Sequence, residues 1–321
     1  MQQDVQEWFA TRSYHGTQWS PEQLLQRKRG TRVSVVLPAR DEAATVGQIV
    51  AALRRELMED VPLIDELVVI DSDSTDGTGA VAAAAGAQVH RQAEILPAHG
   101  NVPGKGEALW KSLAVTSGDV LAFVDADLRE FDTQFAVGLL GPLLAEPGVQ
   151  FVKSCYDRPL HDGATILPAG GGRVTELVAR PLLNLFWPQL SGLVQPLAGE
   201  YAGRRSLLER VPFVSGYGVE IAMLIDVLEL VGLDAMAQVD LGVRSHRNSS
   251  DAALARMAAQ IQLTVQARLR CDSPVAGGGQ LTQFLRQGER FLSETHDIGV
   301  LERPPMAQVP EYRAQPAGRV A

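Results

Sequence analysis

An α/β fold on a mostly parallel sheet is what the sequence predicts, and three observations carry it. Apolar runs of strand length, Val33–Pro38, Glu66–Ile70 and Val120–Val124, alternate with helix-length segments. The runs are apolar on both alternating faces, which suits strands buried between two layers. Each ends abruptly in polar sequence: Pro38-Ala39-Arg40-Asp41-Glu42, Asp71-Ser72-Asp73-Ser74-Thr75-Asp76-Gly77 and Asp125-Ala126-Asp127. Open α/β sheets with right-handed crossovers bind ligands just beyond the carboxyl ends of their strands.

Taken in order, residues 1–30 read as a helical N-terminal extension. Val5, Trp8 and Phe9 have helical spacing, and Ser20-Pro21-Glu22 is a helix start. The first strand passes through Pro38–Glu42 into a helix over Ala43–Met58. The second passes through its acidic loop into a helix ending at Gly86, and Val89-His90 belongs to a third short strand. Gln92–Glu107 is a long loop, a feature usually functional or mobile in a compact domain. Its Gly104-Lys105-Gly106 lets backbone amides and one ammonium approach a phosphate, although the spacing is not that of a P-loop.

A helix over Glu107–Ser117 then leads to the strand ending in Asp125 and Asp127. Gln134–Leu144 is a helix, Val149–Tyr156 a strand and Asp157–Gly172 a loop. That loop closes on three glycines running into Arg173-Val174-Thr175-Glu176 at a helix start. The free N–H groups, the positive end of the dipole and the Arg173 fork form an anion site; a flexible linker is the alternative. Ser215-Gly216-Tyr217-Gly218-Val219-Glu220 precedes an apolar helix, Ile221–Leu230, with Glu220 in its first turn. Val239–Arg244 reads as a strand, and Ser249 or Ser250 caps a helix to Arg270. Residues 302–321, rich in proline and polar residues, read as a disordered tail. The division is an extension over 1–30, a first half over 31–157, a second part over 158–301 and the tail.

Bulk composition narrows the function. At 321 residues, 45% hydrophobic and 21% charged, the chain can bury a sizeable core. Its net charge of −9 argues against a general nucleic-acid binder. Two cysteines, Cys155 and Cys271, make neither a disulfide framework nor a four-cysteine zinc site, and a reducing cytoplasm fits. The longest uncharged stretch, Pro181–Gly199, holds three prolines and several amides, a poor membrane span and a better amphipathic or subunit contact.

Asp125 and Asp127 point the same way in an extended pair and repel unless a cation lies near. Hard divalent ions such as Mg²⁺ or Mn²⁺ take such oxygen ligands and bridge to phosphates. A solvated acidic turn is the plainer alternative. His246, between Arg244 and Arg247, is either a third ligand or a structural histidine, with Arg244, Arg247 and Asn248 as anion contacts.

Three polar strand ends in this order resemble the nucleotide half of the GT-A glycosyltransferases. Gly104-Lys105-Gly106, Gly172-Arg173-Val174-Thr175, Ser215–Glu220 and Arg244-Ser245-His246-Arg247-Asn248 further resemble the mycobacterial-type glucosyl-3-phosphoglycerate synthases, over nearly the whole chain except the tail. One departure is Ala126, where relatives can carry serine. The resemblance implies a GT-A fold with a mixed C-terminal acceptor-binding part. It implies transfer of glucose from UDP-glucose to the 2-hydroxyl of 3-phosphoglycerate with retention of the α configuration, a Mg²⁺ or Mn²⁺ requirement, a homodimer, and the first committed step towards methylglucose lipopolysaccharides. By the same resemblance Pro38, Ala39, Arg40, Glu42, Asp71 and Ser72 line the uridine pocket, and Asp125 and Ala126 meet the sugar nucleotide. Asp127 and His246 hold the metal. Lys105 neutralises departing diphosphate or meets donor and acceptor from the long loop, while Gly172, Arg173, Val174, Thr175 and Asn248 hold the acceptor. Tyr217 and Glu220 border the glucose. Same-face attack, with the leaving phosphate taking the proton, is favoured because the sequence shows no second carboxylate near the site. Other readings are a different GT-A transferase using a mannosyl or glucosyl donor and a glycerate or lipid-phosphate acceptor, a nucleotidyltransferase, and a non-catalytic sugar-nucleotide sensor.

Overall fold

The computed structural model describes residues 1–157, 160–162, 165–167, 172–244, 250–269, 279–287 and 290–314. The chain opens with helix α1 (Gln3–Arg12), strand β1 (Ser13–His15) and helix α2 (Pro21–Lys28). Ser20 caps α2 by accepting from the Gln23 N–H, with Pro21 at the first helical position. Strand and helix then alternate: β2 (Val33–Ala39), α3 (Val46–Arg54), β3 (Glu66–Asp71), α4 (Thr78–Ala85), β4 (Gln88–Arg91), α5 (Lys105–Val115) and β5 (Val120–Phe123). Next come α6 (Gln134–Ala145), β6 (Phe151–Asp157), a small hairpin of β7 (Leu160–Asp162) and β8 (Thr165–Leu167), α7 (Arg180–Phe186), β9 (Tyr201–Arg204), α8 (Arg205–Leu208) and β10 (Phe213–Val214). The last elements are α9 (Val219–Val231), β11 (Met236–Val243), α10 (Asp251–Arg268), the hairpin β12 (Gln280–Gln287) and β13 (Arg290–Asp297), β14 (Glu302–Arg303) and α11 (Pro310–Arg313).

The central sheet has eight strands in the order β1-β11-β6-β9-β5-β2-β3-β4. All neighbours are parallel except β9, which runs antiparallel between β5 and β6. Alternate residues of the strands face opposite layers, as the two-sided apolar runs require. Val36, Val68, Leu121, Phe123 and Phe151 pack with Leu109 of α5 and Leu224 of α9. Val35, Leu37, Val69, Ala122 and Val152 pack with Ile49 of α3 and Leu139 of α6 on the other face. The carboxyl ends of β2, β3 and β5 therefore emerge side by side, which sets the three polar loops in one row.

Several expectations change. The first thirty residues are no appendage: β1 pairs in parallel with β11, and the Trp8 indole donates to the Met236 carbonyl at 2.8 Å. The sheet thus draws strands from both sides of residue 157. The helix expected over Ala43–Met58 is α3 followed by a π-turn, Arg55–Asp60. The loop after Asp157 contains the β7–β8 hairpin. The disordered tail is a correction as far as Ala314. Glu302–Arg303 pairs with β10, and Met306, Val309 and Tyr312 are buried at three-residue spacing among prolines that masked it. Residues 315–321 lie outside the described residues.

Candidate active site

A cleft of about 590 Å³ opens above the carboxyl ends of β2, β3 and β5. Pro38, Ala39, Arg40 and Glu42 line it from the end of β2, Ser72 from β3, and Asp125, Ala126 and Asp127 from β5. Pro103, Gly104 and Lys105 close it from the start of α5, and Gly216, Tyr217 and Gln260 from the opposite rim. Ten residues selected from the sequence thus converge on one cavity. Asp71 does not line it; its carboxylate turns back to accept the Ser74 N–H at 2.9 Å.

The floor is a charge cluster. The Lys105 ammonium donates to Asp125 and, at 2.7 Å, to the Gly199 carbonyl, and lies 3.8 Å from Glu220. The Arg244 guanidinium donates to Asp125 at 2.9 Å, Asp127 at 2.8 Å and the Tyr156 hydroxyl at 2.8 Å, and pairs with buried Glu200 at 3.0 Å. Burial works against ionising Asp125, but Lys105 and Arg244 outweigh it and hold the carboxyl well below the usual range. Burial likewise opposes the Lys105 charge, yet Asp125, Glu220 and Glu200 raise its pKa above the ordinary lysine value. Glu220 shifts upward, chiefly by burial. The two aspartates are therefore unequal. Asp125 is 18% exposed and twice ion-paired, whereas Asp127 is 46% exposed and faces the cleft.

One role is corrected, and one motif gains a second duty. Arg244, expected to meet an anion, spends its guanidinium on carboxylates. The glycines of Gly104-Lys105-Gly106 also serve close packing. Gly104 has φ +123°, and a Cβ there would fall 2.6 Å from the Gly216 nitrogen; one at Gly106 would overlap the Val214 carbonyl oxygen. The turn thereby seats α5 directly on the Val214–Gly216 backbone, with Lys105 aimed into the cleft.

Further along the chain, Gly172 has φ +82° before a helical turn in which Val174 is half-buried and Thr175 buried. Arg173 pairs with Asp251 at 2.5 Å, which ties this turn to the start of α10. His246, Arg247 and Asn248 lie outside the described residues, as do Gly170 and Gly171. Among the described residues no cluster of three metal-ligating side chains occurs. Asp127 is the more exposed of the two aspartates that line the cleft, and its oxygens suit a hard divalent ion.

Sequence reasoning missed Glu200, Lys153 and Gln260. Lys153 is fully buried on β6, donates to the Ala198 carbonyl at 2.6 Å and lies 4.7 Å from the centre of the Tyr201 ring. Burial pushes its pKa down to about 7. The available signal was one lysine inside the apolar run Phe151–Tyr156. Glu200 had no motif around it. Buried Glu200 and the 12%-exposed Glu220 also correct the view that no second carboxylate stands near Asp125, although neither lines the cleft.

The chain matches the family model of Glycosyl transferase family 2 over residues 34–157. It is 48% identical over 299 residues to the glucosyl-3-phosphoglycerate synthase of Mycolicibacterium smegmatis, covering 93% of this chain and 97% of that one. The synthase of Petrotoga mobilis is 44% identical over 294 residues, 90% of each. Among solved structures, mannosyl-3-phosphoglycerate synthase from Rubrobacter xylanophilus matches at TM-score 0.87 and 44% identity, covering 95% of this chain and 97% of that one. Glucosyl-3-phosphoglycerate synthase from Mycobacterium tuberculosis, in complex with Mn²⁺, UDP-glucose and phosphoglyceric acid, matches at 0.80 and 45%, covering 92% and 97%.

Proposed function

This chain belongs to the glucosyl-3-phosphoglycerate synthase family, with a GT-A fold, and from that premise we propose how its cleft works. It transfers glucose from UDP-glucose to 3-phosphoglycerate and uses Mg²⁺ or Mn²⁺. The observation that carries this reading is the convergence of the three strand-end loops and Lys105 on one cleft, in a chain that covers its relatives nearly end to end. The residues proposed to hold the metal are Asp127 and His246. Bound there, the ion supplies charge stabilisation to the departing diphosphate. The uridine end rests against Pro38, Ala39, Arg40 and Ser72.

An ammonium has three N–H donors, and Lys105 commits two, to Asp125 and Gly199. The third is available to the leaving diphosphate in the cleft that Lys105 lines. Asp125, kept ionised, orients Lys105 and contacts the sugar nucleotide. Glu220, 12% exposed and 3.8 Å from the Lys105 ammonium, is assigned with Tyr217 to border the glucose and orient the reacting hydroxyl. Thr175, Arg173 and Asn248 hold the acceptor phosphate and carboxylate. We favour retention by same-face attack. The acceptor 2-oxygen forms the new bond to the anomeric carbon as the bond to the diphosphate breaks, and the leaving phosphate oxygen takes the hydroxyl proton. The occupation of Asp125 and Glu220 by cations supports this over a covalent carboxylate intermediate.

A donor-by-acceptor screen tests the reading. With Mg²⁺, UDP-glucose and 3-phosphoglycerate should release UDP and give an α-linked product by NMR, while glycerate without phosphate should react poorly. Equal rates with both acceptors would undo the anion-site role of Arg173, and a β-linked product would exclude retention. The Rubrobacter neighbour, named for mannosyl transfer, makes a mannosyl donor the second arm of the screen.

Two further parts of the reading concern setting. Among the described residues no helix is long and apolar enough to cross a membrane, and we place the reaction in the cytoplasm, where the buried free thiol of Cys155 stays reduced. A homodimer is supported by the β12–β13 hairpin, where Phe284 and Phe291 share one face and are 67% and 62% exposed. Light scattering should return about twice the 34.6 kDa of one chain; a monomer at micromolar concentration would count against it.

A further inference from the structure

A second ionic cluster lies under the donor cleft and none of the roles above uses it. Glu107 and Lys111, one turn apart on α5, are both fully buried, and Arg303 from β14 is 8% exposed. Arg303 makes a two-pronged bond to the Glu107 carboxylate at 2.7 and 2.8 Å, and its remaining arm donates to the His99 carbonyl at 2.8 Å. Its guanidinium also lies 5.2 Å from the centre of the Trp110 ring. Lys111 donates to the carbonyls of Gln92 and Gly100 at 2.9 and 2.8 Å. Gln92, itself buried, donates to Asn101 and the Val102 carbonyl, and accepts from the hydroxyl of Ser72 at 2.8 Å. An unbroken chain of polar contacts therefore runs from residue 303 through Glu107, Lys111 and Gln92 to a residue that lines the donor cleft.

The rest of the 92–104 segment needs this support. It contains two single 3₁₀ turns and no longer element, with Leu96 at φ +47°. Its far end delivers Pro103, Gly104 and Lys105 to the cleft. Burying three charges costs far more than leaving them in water unless each meets its partner, and here they do. Such a cluster specifies one arrangement of the backbone it grips.

We propose that Arg303 is a positioning residue for the sugar nucleotide. Through Glu107 and Lys111 it fixes the Gln92–Gly104 segment, and so holds Ser72 and the Pro103–Lys105 turn in their binding places. The inference rests on the UDP-glucose reading of the cleft. Losing Arg303 leaves the donor to order the segment on binding, a cost that appears as weaker affinity. The acceptor turn at 172–175 is not part of the network and keeps its affinity.

The test uses full-length protein and UDP with Mn²⁺ as the probe, by calorimetry. Arg303→Met is expected to weaken UDP binding roughly tenfold and to raise the donor KM in step, with the 3-phosphoglycerate KM unchanged. Arg303→Lys keeps the charge beside Glu107 but loses the arm to His99. It should fold as the wild type does and weaken UDP binding by roughly threefold. Variants with a lowered Tm but wild-type UDP affinity would reduce Arg303 to a structural role and overturn the proposal, as would equal rises in both KM values. A wild-type chain that bound no UDP would overturn the donor reading as well, so the two failures are distinguishable.

Discussion

Lys105→Met is expected to lower kcat for glucosyl transfer by about two to three orders of magnitude, the usual consequence of removing one charged donor aimed at developing negative charge. The structure gives two reasons. The ammonium is the cation set between Asp125 and Glu220, and it lines the cleft proposed to hold the diphosphate. Methionine preserves the buried stem but offers no donor. Asp125 keeps Arg244 as a partner and stays charged, while Glu220 loses its nearest cation and is driven further towards its protonated form. Binding of UDP should fall much less than kcat, because the proposed uridine contacts come from the ends of β2 and β3. Steady-state kinetics with UDP-glucose and 3-phosphoglycerate decide the matter, and a kcat within threefold of wild type would remove Lys105 from the chemistry.

Asp127→Ala should be the other severe loss, and it should leave the fold untouched. Its carboxylate is nearly half exposed, and among the described residues its polar partner is the Arg244 guanidinium, itself also held by Glu200 and Asp125. Removing such a surface partner changes stability by about 0.5 kcal/mol or less, so Tm should not move measurably. Turnover should drop by about three decades, since the charge stabilisation lost with the metal is worth several kcal/mol. Mn²⁺ binding in the presence of UDP, followed by electron paramagnetic resonance, should vanish in parallel. A variant that still bound Mn²⁺ and turned over normally would return Asp127 to the plainer reading of a solvated acidic turn.

Much of this was legible in the chain because local pattern and global fold agree at the strand ends. An apolar run buried on both faces must end at the rim of the sheet, and polar residues placed right after it cannot avoid facing the ligand side. Pro38–Glu42, Ser72 and Asp125–Asp127 were readable for that reason. What escaped was whatever depends on contacts between distant segments. The Gly104–Gly216 approach joins backbones more than a hundred residues apart, and no spacing within one segment announces it. Arg303 and Tyr312 looked like parts of a proline-rich coil because composition cannot report which single side chains find a buried partner. Arg244 was misread for a similar reason. Between His246 and a strand it has the look of an anion donor, but its partners come from β5 and from the residue preceding β9.

The position of β1 at the edge of the sheet sets an order on biosynthesis. Ser13 is hydrogen-bonded to Gln238, 225 residues further along, and among the described residues β1 has no other neighbour in the sheet. At ordinary translation rates of about 5–20 residues per second, the first strand waits roughly ten to forty-five seconds for the partner that receives it. The three nucleotide loops on β2, β3 and β5 can be assembled well before then. The β1–β11 edge forms only once Met236–Val243 has been made, and the Glu302–Arg303 strand joins β10 later still. Growth of the chain thus lays down the strands that carry the cleft before the segments that clamp them.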